Sequence, residues 1–163
     1  MDKRFNSICY NHQNKQGKIL LKQILLWSGG MLVLLQFIQV TIPPVPKEID
    51  PKLEIKVPKH IESMFKTSCY DCHSYQTKMP WYGNIVPLAW EVKSNIKHGR
   101  TWLNFQEWDN YDEEKKQKIY KGIVKTINLS MPVPMYLKLH QDAVLSKEQR
   151  ESIKMWAKSK VVE

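Results

Sequence analysis

The chain has few cysteines, and the pairings it lacks narrow the chemistry. Three are present in 163 residues. Two sit close together in "SCYDCHS" (residues 68–74) and the third, Cys9, lies far upstream. No second C-x-x-C and no H-x-x-x-H pair follows, so a four-ligand structural zinc site has no second half. No stretch alternates apolar and polar residues as a half-buried strand does. That absence counts against a thiol–disulfide site, in which C-x-x-C follows a strand in a βαβ unit. No Arg-rich run and no nucleic-acid motif appears, although the net charge is +9. Lys3, Arg4, Lys15, Lys18 and Lys22 against Asp2 give +4 of that charge within the first 23 residues, leaving +5 for the remaining 140. The charge is therefore half a topology signal and half solvated surface, and a nucleic-acid partner is not expected.

One segment has no formal charge at all. Ile24 to Ile42 reads ILLWSGGMLVLLQFIQVTI, with Gln36 and Gln39 as its only strongly polar residues. Nineteen residues at helical rise span roughly 28 Å, close to the thickness of a bilayer core. No A-x-A-like cleavage site follows, so the expectation is an uncleaved anchor rather than a signal peptide. The cations precede it, which places residues 1–23 in the cytoplasm and exports the rest. Residues 43–58 hold Pro43, Pro44, Pro46, Pro51 and Pro58 and are expected to be a semi-rigid spacer.

Residues 59–163 show helical periodicity throughout, which predicts an all-α domain. Ile61, Met64 and Phe65 mark a short amphipathic helix leading into Cys69. Ile85, Leu88, Ala89, Val92 and Ile96 mark a second helix, with Gly99 as its expected stop. A third helix opens on Asp112, Glu113 and Glu114 and carries Ile119, Ile123, Val124 and Ile127. A fourth starts at Ser146 with Gln149 in capping-box register and buries Ile153, Trp156 and Ala157. The loop 130–140 holds two prolines and cannot be a long regular helix.

Cys69-x-x-Cys72-His73 is the attachment signature of haem c. A chance match in a chain of this length has odds on the order of one in a thousand. The two thiols would add to the two vinyl groups on one porphyrin edge, and the helical turn between them aims His73 at the iron as proximal ligand. The exported side of a bacterial membrane is also where such attachment takes place. A sixth iron ligand is usually Met or His. Met131, in "SMPVP", is the first candidate, with Met135 and His140 as alternatives; Met79 lies close to the proximal side. His12, His60 and His98 are assigned no role. Trp81, Tyr82, Trp90, Trp102, Phe105 and Trp108 are expected to wall the group, and Arg100 to pair with a haem propionate.

These segments resemble the small bacterial haem-binding domain proteins, which are membrane-anchored monohaem c-type cytochromes. The resemblance runs through "LLQFIQ", "SCYDCHSYQTKMPWYGNIVPLAW" (68–90), "HGRTWLNFQEW" (98–108) and "MPVPMYLKLHQDAVLSKEQRESIKMWA" (131–157). It implies a cytochrome c-like helical domain with long loops around one haem, attached at Cys69 and Cys72, with His73 and Met131 on the iron. The family tends to follow its histidine with Pro-Glu-Ala, where this chain has Gln141-Asp142-Ala143. The functional expectation is an electron carrier with redox partner proteins and no catalytic residues. The alternatives are a haem-based sensor or small-ligand binder with an open sixth position and, more weakly, a peroxidase, for which no acid/base pair is evident.

Overall fold

The computed structural model describes residues 3–162. Met1, Asp2 and Glu163 lie outside the described residues, as do the side chains of the first fifteen, among them Cys9, His12, Lys3, Arg4 and Lys15. Seven α-helices and four short 3-10 turns make up the fold, with no strand among the described residues.

Helix α1 runs Lys3–Leu35. Its stretch Gln16–Leu35, 20 residues with a mean hydropathy of 1.5 and none of it buried, is long and apolar enough to cross a membrane. The apolar run 24–42 was expected to be one helix, but the helix ends at Leu35 and residues 38–46 are irregular. Tertiary contacts explain the early end. The Gln36 side-chain amide accepts from the Val86 N–H (3.0 Å) and donates to the Val86 carbonyl (3.1 Å). Trp90 Nε1 donates to the Ile38 carbonyl at 2.6 Å, and Lys93 Nζ to Gln39 Oε1 at 2.8 Å.

The proline-rich segment 43–58 is likewise not a free spacer. The Ile55 N–H donates to the Phe105 carbonyl at 2.8 Å, Ile55 is buried in the core, and Glu54 accepts from the Tyr70 hydroxyl at 2.6 Å. The prolines keep this segment out of α-helix, with only a 3-10 turn at Pro51–Leu53, and Ile55 gives it an apolar foothold. The compact unit therefore begins before residue 59.

Helices α2 (Lys59–Ser68), α4 (Leu88–Trp102), α5 (Glu113–Thr126) and α7 (Lys147–Lys158) are the four expected from periodicity. Asp112 caps α5 through the Lys115 N–H, and Ser146 with Gln149 forms the capping box of α7. Two short helices, α3 (Tyr70–His73) and α6 (Pro134–Leu139), lie in what periodicity left as connections. Gly99 does not stop α4, which continues to Trp102.

The core is a ladder of aromatic rings. Phe105 stacks on Phe65 at 4.7 Å and on Tyr70 at 5.1 Å, and Phe65 meets Trp156 edge-on at 5.5 Å. Trp156 continues to Tyr120 at 5.6 Å and Tyr120 to Trp108 at 5.2 Å. Offset and edge-on pairs add to the area burial that holds α2, α5 and α7 together. Tyr70 and the His73 ring, edge-on to Phe105 at 6.1 Å, connect this ladder to the cysteine motif.

Candidate functional site

The cysteine motif occupies one helical turn. The Cys72 and His73 N–H groups both donate to the Cys69 carbonyl, at 3.1 and 2.9 Å. Short-range bonds lock the turn. The fully buried Ser74 donates its hydroxyl to the Tyr70 carbonyl at 2.8 Å and accepts from the Gln76 N–H. The Thr77 hydroxyl donates to the Asp71 carbonyl at 2.6 Å. The Asp71 carboxylate accepts from the Lys78 N–H at 2.9 Å and from the Tyr136 hydroxyl at 2.8 Å, which joins the motif to α6.

Helix α4 packs directly on this turn, and Gly99 makes the approach possible. A Cβ at residue 99 would stand 2.5 Å from the Cys72 carbonyl oxygen and 3.1 Å from Cys72 Cβ. Only glycine brings the helix backbone this close.

Cys69, Cys72 and His73 line one cavity of about 490 Å³, within the range of cofactor pockets. Its walls are mainly apolar, with Leu88, Val92, Ile96, Val133, Leu139 and Trp102 among them, and Tyr82, Tyr136, Met131 and Met135 also face it. Burial pushes the Cys69 thiol up to about 12 and the Cys72 thiol up to about 11, so both stay protonated at neutral pH. A redox thiol works through the thiolate, and these two are far from it. His73 Nδ1 lies 3.0 Å from the Leu103 carbonyl. A carbonyl only accepts, so the proton resides on Nδ1 and the Nε2 lone pair is the ring's donor atom. Burial lowers the His73 pKa, which favours the neutral, ligand-competent ring. Among the described residues no group of three or more His, Cys, Asp and Glu side chains is arranged to hold a bare metal ion.

Several expected wall residues sit elsewhere. Trp81 is 81% exposed and outside the cavity, Trp90 is engaged with Ile38, and Phe105 and Trp108 belong to the aromatic core. Of the six expected wall aromatics, Tyr82 and Trp102 face the cavity. Arg100 is also not a cavity residue. Its Nε donates to the Ser74 carbonyl (2.8 Å), Nη2 to Thr77 Oγ1 (3.0 Å) and Nη1 to the Pro43 carbonyl (3.2 Å). The guanidinium clamps the loop behind His73 and the incoming chain, so it has no place facing a propionate. His140 stacks on Tyr136 at 4.1 Å, with Nδ1 3.1 Å from the Tyr136 carbonyl, and does not line the cavity. Met79 packs against Gly83 instead. Periodicity did not single out Tyr136 or Val133, because both come from the proline-rich loop.

Met131 is held from behind. Its N–H donates to the Thr126 carbonyl at 3.1 Å. Arg150 Nη1 donates to the Met131 carbonyl at 2.7 Å and to the Ile127 carbonyl at 2.5 Å, and its Nε to the Leu145 carbonyl at 3.4 Å. His98, to which the sequence assigned no role, also lines the cavity. An apolar cavity with the neutral His73 ring, two protonated thiols and two thioethers on its walls fits a flat, hydrophobic iron porphyrin.

A family model described as "Haem-binding domain" matches residues 30–159, while no curated protein and no solved structure matches the chain. The match takes in the cysteine turn, the glycine contact, the cavity walls and the Met131 loop together, and the chain belongs to the haem-binding domain family.

Proposed function

We propose that the chain is a membrane-anchored monohaem c-type cytochrome that carries electrons on the exported face of a bacterial membrane. The observation that carries this reading is that Cys69, Cys72, His73 and Met131 line the same apolar cavity. Cys69 and Cys72 would hold the group through thioethers, His73 Nε2 would supply an iron ligand, and the Met131 thioether would supply the second. Haem bound there supplies a one-electron iron couple. The Leu103 carbonyl fixes the His73 tautomer, the apolar walls exclude water, and Arg150 holds the Met131 loop in place. The protein makes no bonds of its own and passes electrons to redox partner proteins. The apolar part of helix α1 is the anchor, and the cations at its N-terminal end, from Lys3 to Lys22, keep the N-terminus in the cytoplasm, with the haem domain in the periplasm.

The test is a denaturing gel of the protein matured with a cytochrome c assembly system, stained for haem peroxidase activity. Stain that survives denaturation and disappears in Cys69→Ala/Cys72→Ala supports covalent attachment. Stain absent from the native sequence, or retained in that double variant, defeats it.

A second reading is a haem-based sensor or small-ligand binder with a displaceable sixth position. The observation favouring it is that two thioethers, Met131 and Met135, line the same cavity, so the sixth position has more than one candidate ligand. A low-spin ferric spectrum with a sulfur-to-iron charge-transfer band supports the electron carrier. A high-spin resting iron that binds carbon monoxide readily supports the sensor.

A further inference from the structure

The end of α1 is bolted to one edge of the haem-binding domain. Gln36 follows the last helical residue, Leu35, and exchanges two hydrogen bonds with the backbone of Val86. Ile38 is held by Trp90 one turn further along that edge. Three large apolar side chains beside these bonds are exposed. Phe37 is 82% exposed, Trp81 is 81% exposed, and Ile85, next to Val86, is 47% exposed. Trp81 opens the 3-10 turn Trp81–Asn84 that runs straight into Ile85. Scattered apolar residues on a surface need no explanation, but here an exposed phenylalanine directly follows Gln36, an exposed isoleucine directly precedes Val86, and an exposed tryptophan opens the turn that leads into it.

We infer that this edge of the domain lies on the lipid bilayer, with Trp81, Ile85 and Phe37 seated among the headgroups and upper acyl chains. The inference rests on the reading of α1 as membrane-spanning. Continuity identifies the occupant. If the uncharged part of α1 up to Leu35 lies in the hydrocarbon core, with Lys18 and Lys22 near its other end reaching the opposite interface, the membrane interface on the domain side begins at Gln36, and the two bonds from Gln36 place Val86 in the same layer. Ile85 is its direct neighbour. Trp81, with an apolar ring and one N–H donor, has the chemistry that collects at this depth. A second protein on this edge would have to compete with the bilayer from which the edge emerges.

Photo-crosslinking separates this inference from the reading beneath it. The full-length, haem-loaded protein is reconstituted into phosphatidylcholine and phosphatidylglycerol vesicles whose acyl chains carry a photoactivatable diazirine. After irradiation and trypsin digestion, two peptides are read by mass spectrometry: 23–47, from the anchor, and 79–93, which holds Trp81 and Ile85. The expected result is label on both, with label in 79–93 concentrated on Trp81 and Ile85, and none on peptides from α5 or α7. Label on 23–47 without label on 79–93 overturns the seating while leaving the anchor intact. Label on neither overturns both. Label spread equally over α5 and α7 peptides overturns the seating too, because it shows no preferred face. The double variant Trp81→Gln/Ile85→Gln is expected to lose most of the 79–93 label and keep that on 23–47. An unchanged 79–93 yield counts against these two side chains.

Discussion

Gly99 and Cys72 touch through their backbones: a methyl group at position 99 would stand 2.5 Å from the Cys72 carbonyl oxygen. Replacing glycine by alanine inside a helix normally stabilises it by about 1 kcal/mol. Here a rigid backbone atom is in the way, and forced overpacking costs about 1–3 kcal/mol. The clash wins. Gly99→Ala is expected to lower the melting temperature by roughly 5–10 °C for a domain of this size and to reduce the yield of haem-loaded protein. Thermal unfolding followed by circular dichroism, together with the haem-to-protein absorbance ratio, checks both.

Phe105 is 2% exposed, joins Phe65 to Tyr70 and meets the His73 ring edge-on. Phe105→Ala is expected to cost about 3–5 kcal/mol, enough to leave a marginal domain largely unfolded. Trp81→Ala, on the exposed surface, is expected to change stability by less than about 0.5 kcal/mol. Denaturant titration of the two variants side by side separates a core role from a surface one.

The Arg150 side chain holds three carbonyls around the Met131 loop. Lysine keeps the charge but not the planar fork. Arg150→Lys is expected to destabilise the protein by about 2 kcal/mol, since hydrogen bonds from charged groups contribute about 1.5–3 kcal/mol each. It is also expected to weaken the sulfur-to-iron charge-transfer band of the ferric protein. A band of full strength in this variant would show that the loop holds its methionine without the clamp.

Met131 and Met135 both face the cavity, and only Met131 has its carbonyl held by Arg150. Met131→Leu is expected to abolish the charge-transfer band and leave high-spin ferric iron. Met135→Leu is expected to leave the spectrum unchanged. The reverse pattern would move the distal assignment to Met135.

Tyr70 and Tyr136 are both pushed upward in pKa, first by burial and then by the carboxylates that accept their hydroxyls, Glu54 and Asp71. For a group whose folded pKa is raised, the stabilisation is complete below the unfolded value, near 10 for tyrosine, and is lost as pH climbs past it. In the haem-loaded protein, in which Cys69 and Cys72 do not titrate as thiols, these two tyrosines are expected to leave stability flat from neutral pH to about 10 and to lower it above that. The decline is expected to be shallower in Tyr70→Phe. Urea midpoints measured along an alkaline pH series give the slope.

The parts of this fold that local sequence specifies were legible in the residues. The Ser146–Gln149 capping box, the Ile61–Met64–Phe65 stripe and the Cys69–His73 turn each depend on neighbours within four positions, and the structure has all three. What escaped notice depends on partners far along the chain. Gly99 reads as a helix stop until α4 is seen lying against Cys72. Arg100 reads as a propionate partner until the Ser74, Thr77 and Pro43 oxygens converge on it. The tryptophans looked alike in sequence, but only packing separates Trp102 at the cavity, Trp108 in the core and Trp81 on the surface. Residues 36–42 were apolar enough to continue the helix, and only the Val86, Trp90 and Lys93 contacts explain why they do not.

The packed segment between α1 and α2 also fixes the radius of action. A free polyproline-type arm over residues 43–58 would carry the domain about 50 Å from its point of attachment. With Gln36, Ile38, Pro43 and Ile55 all fastened to the domain, that arm has almost no length left to swing. On the proposed anchored reading such a protein is a post rather than a crane: its cavity stays at one height, and whatever meets it there has to travel.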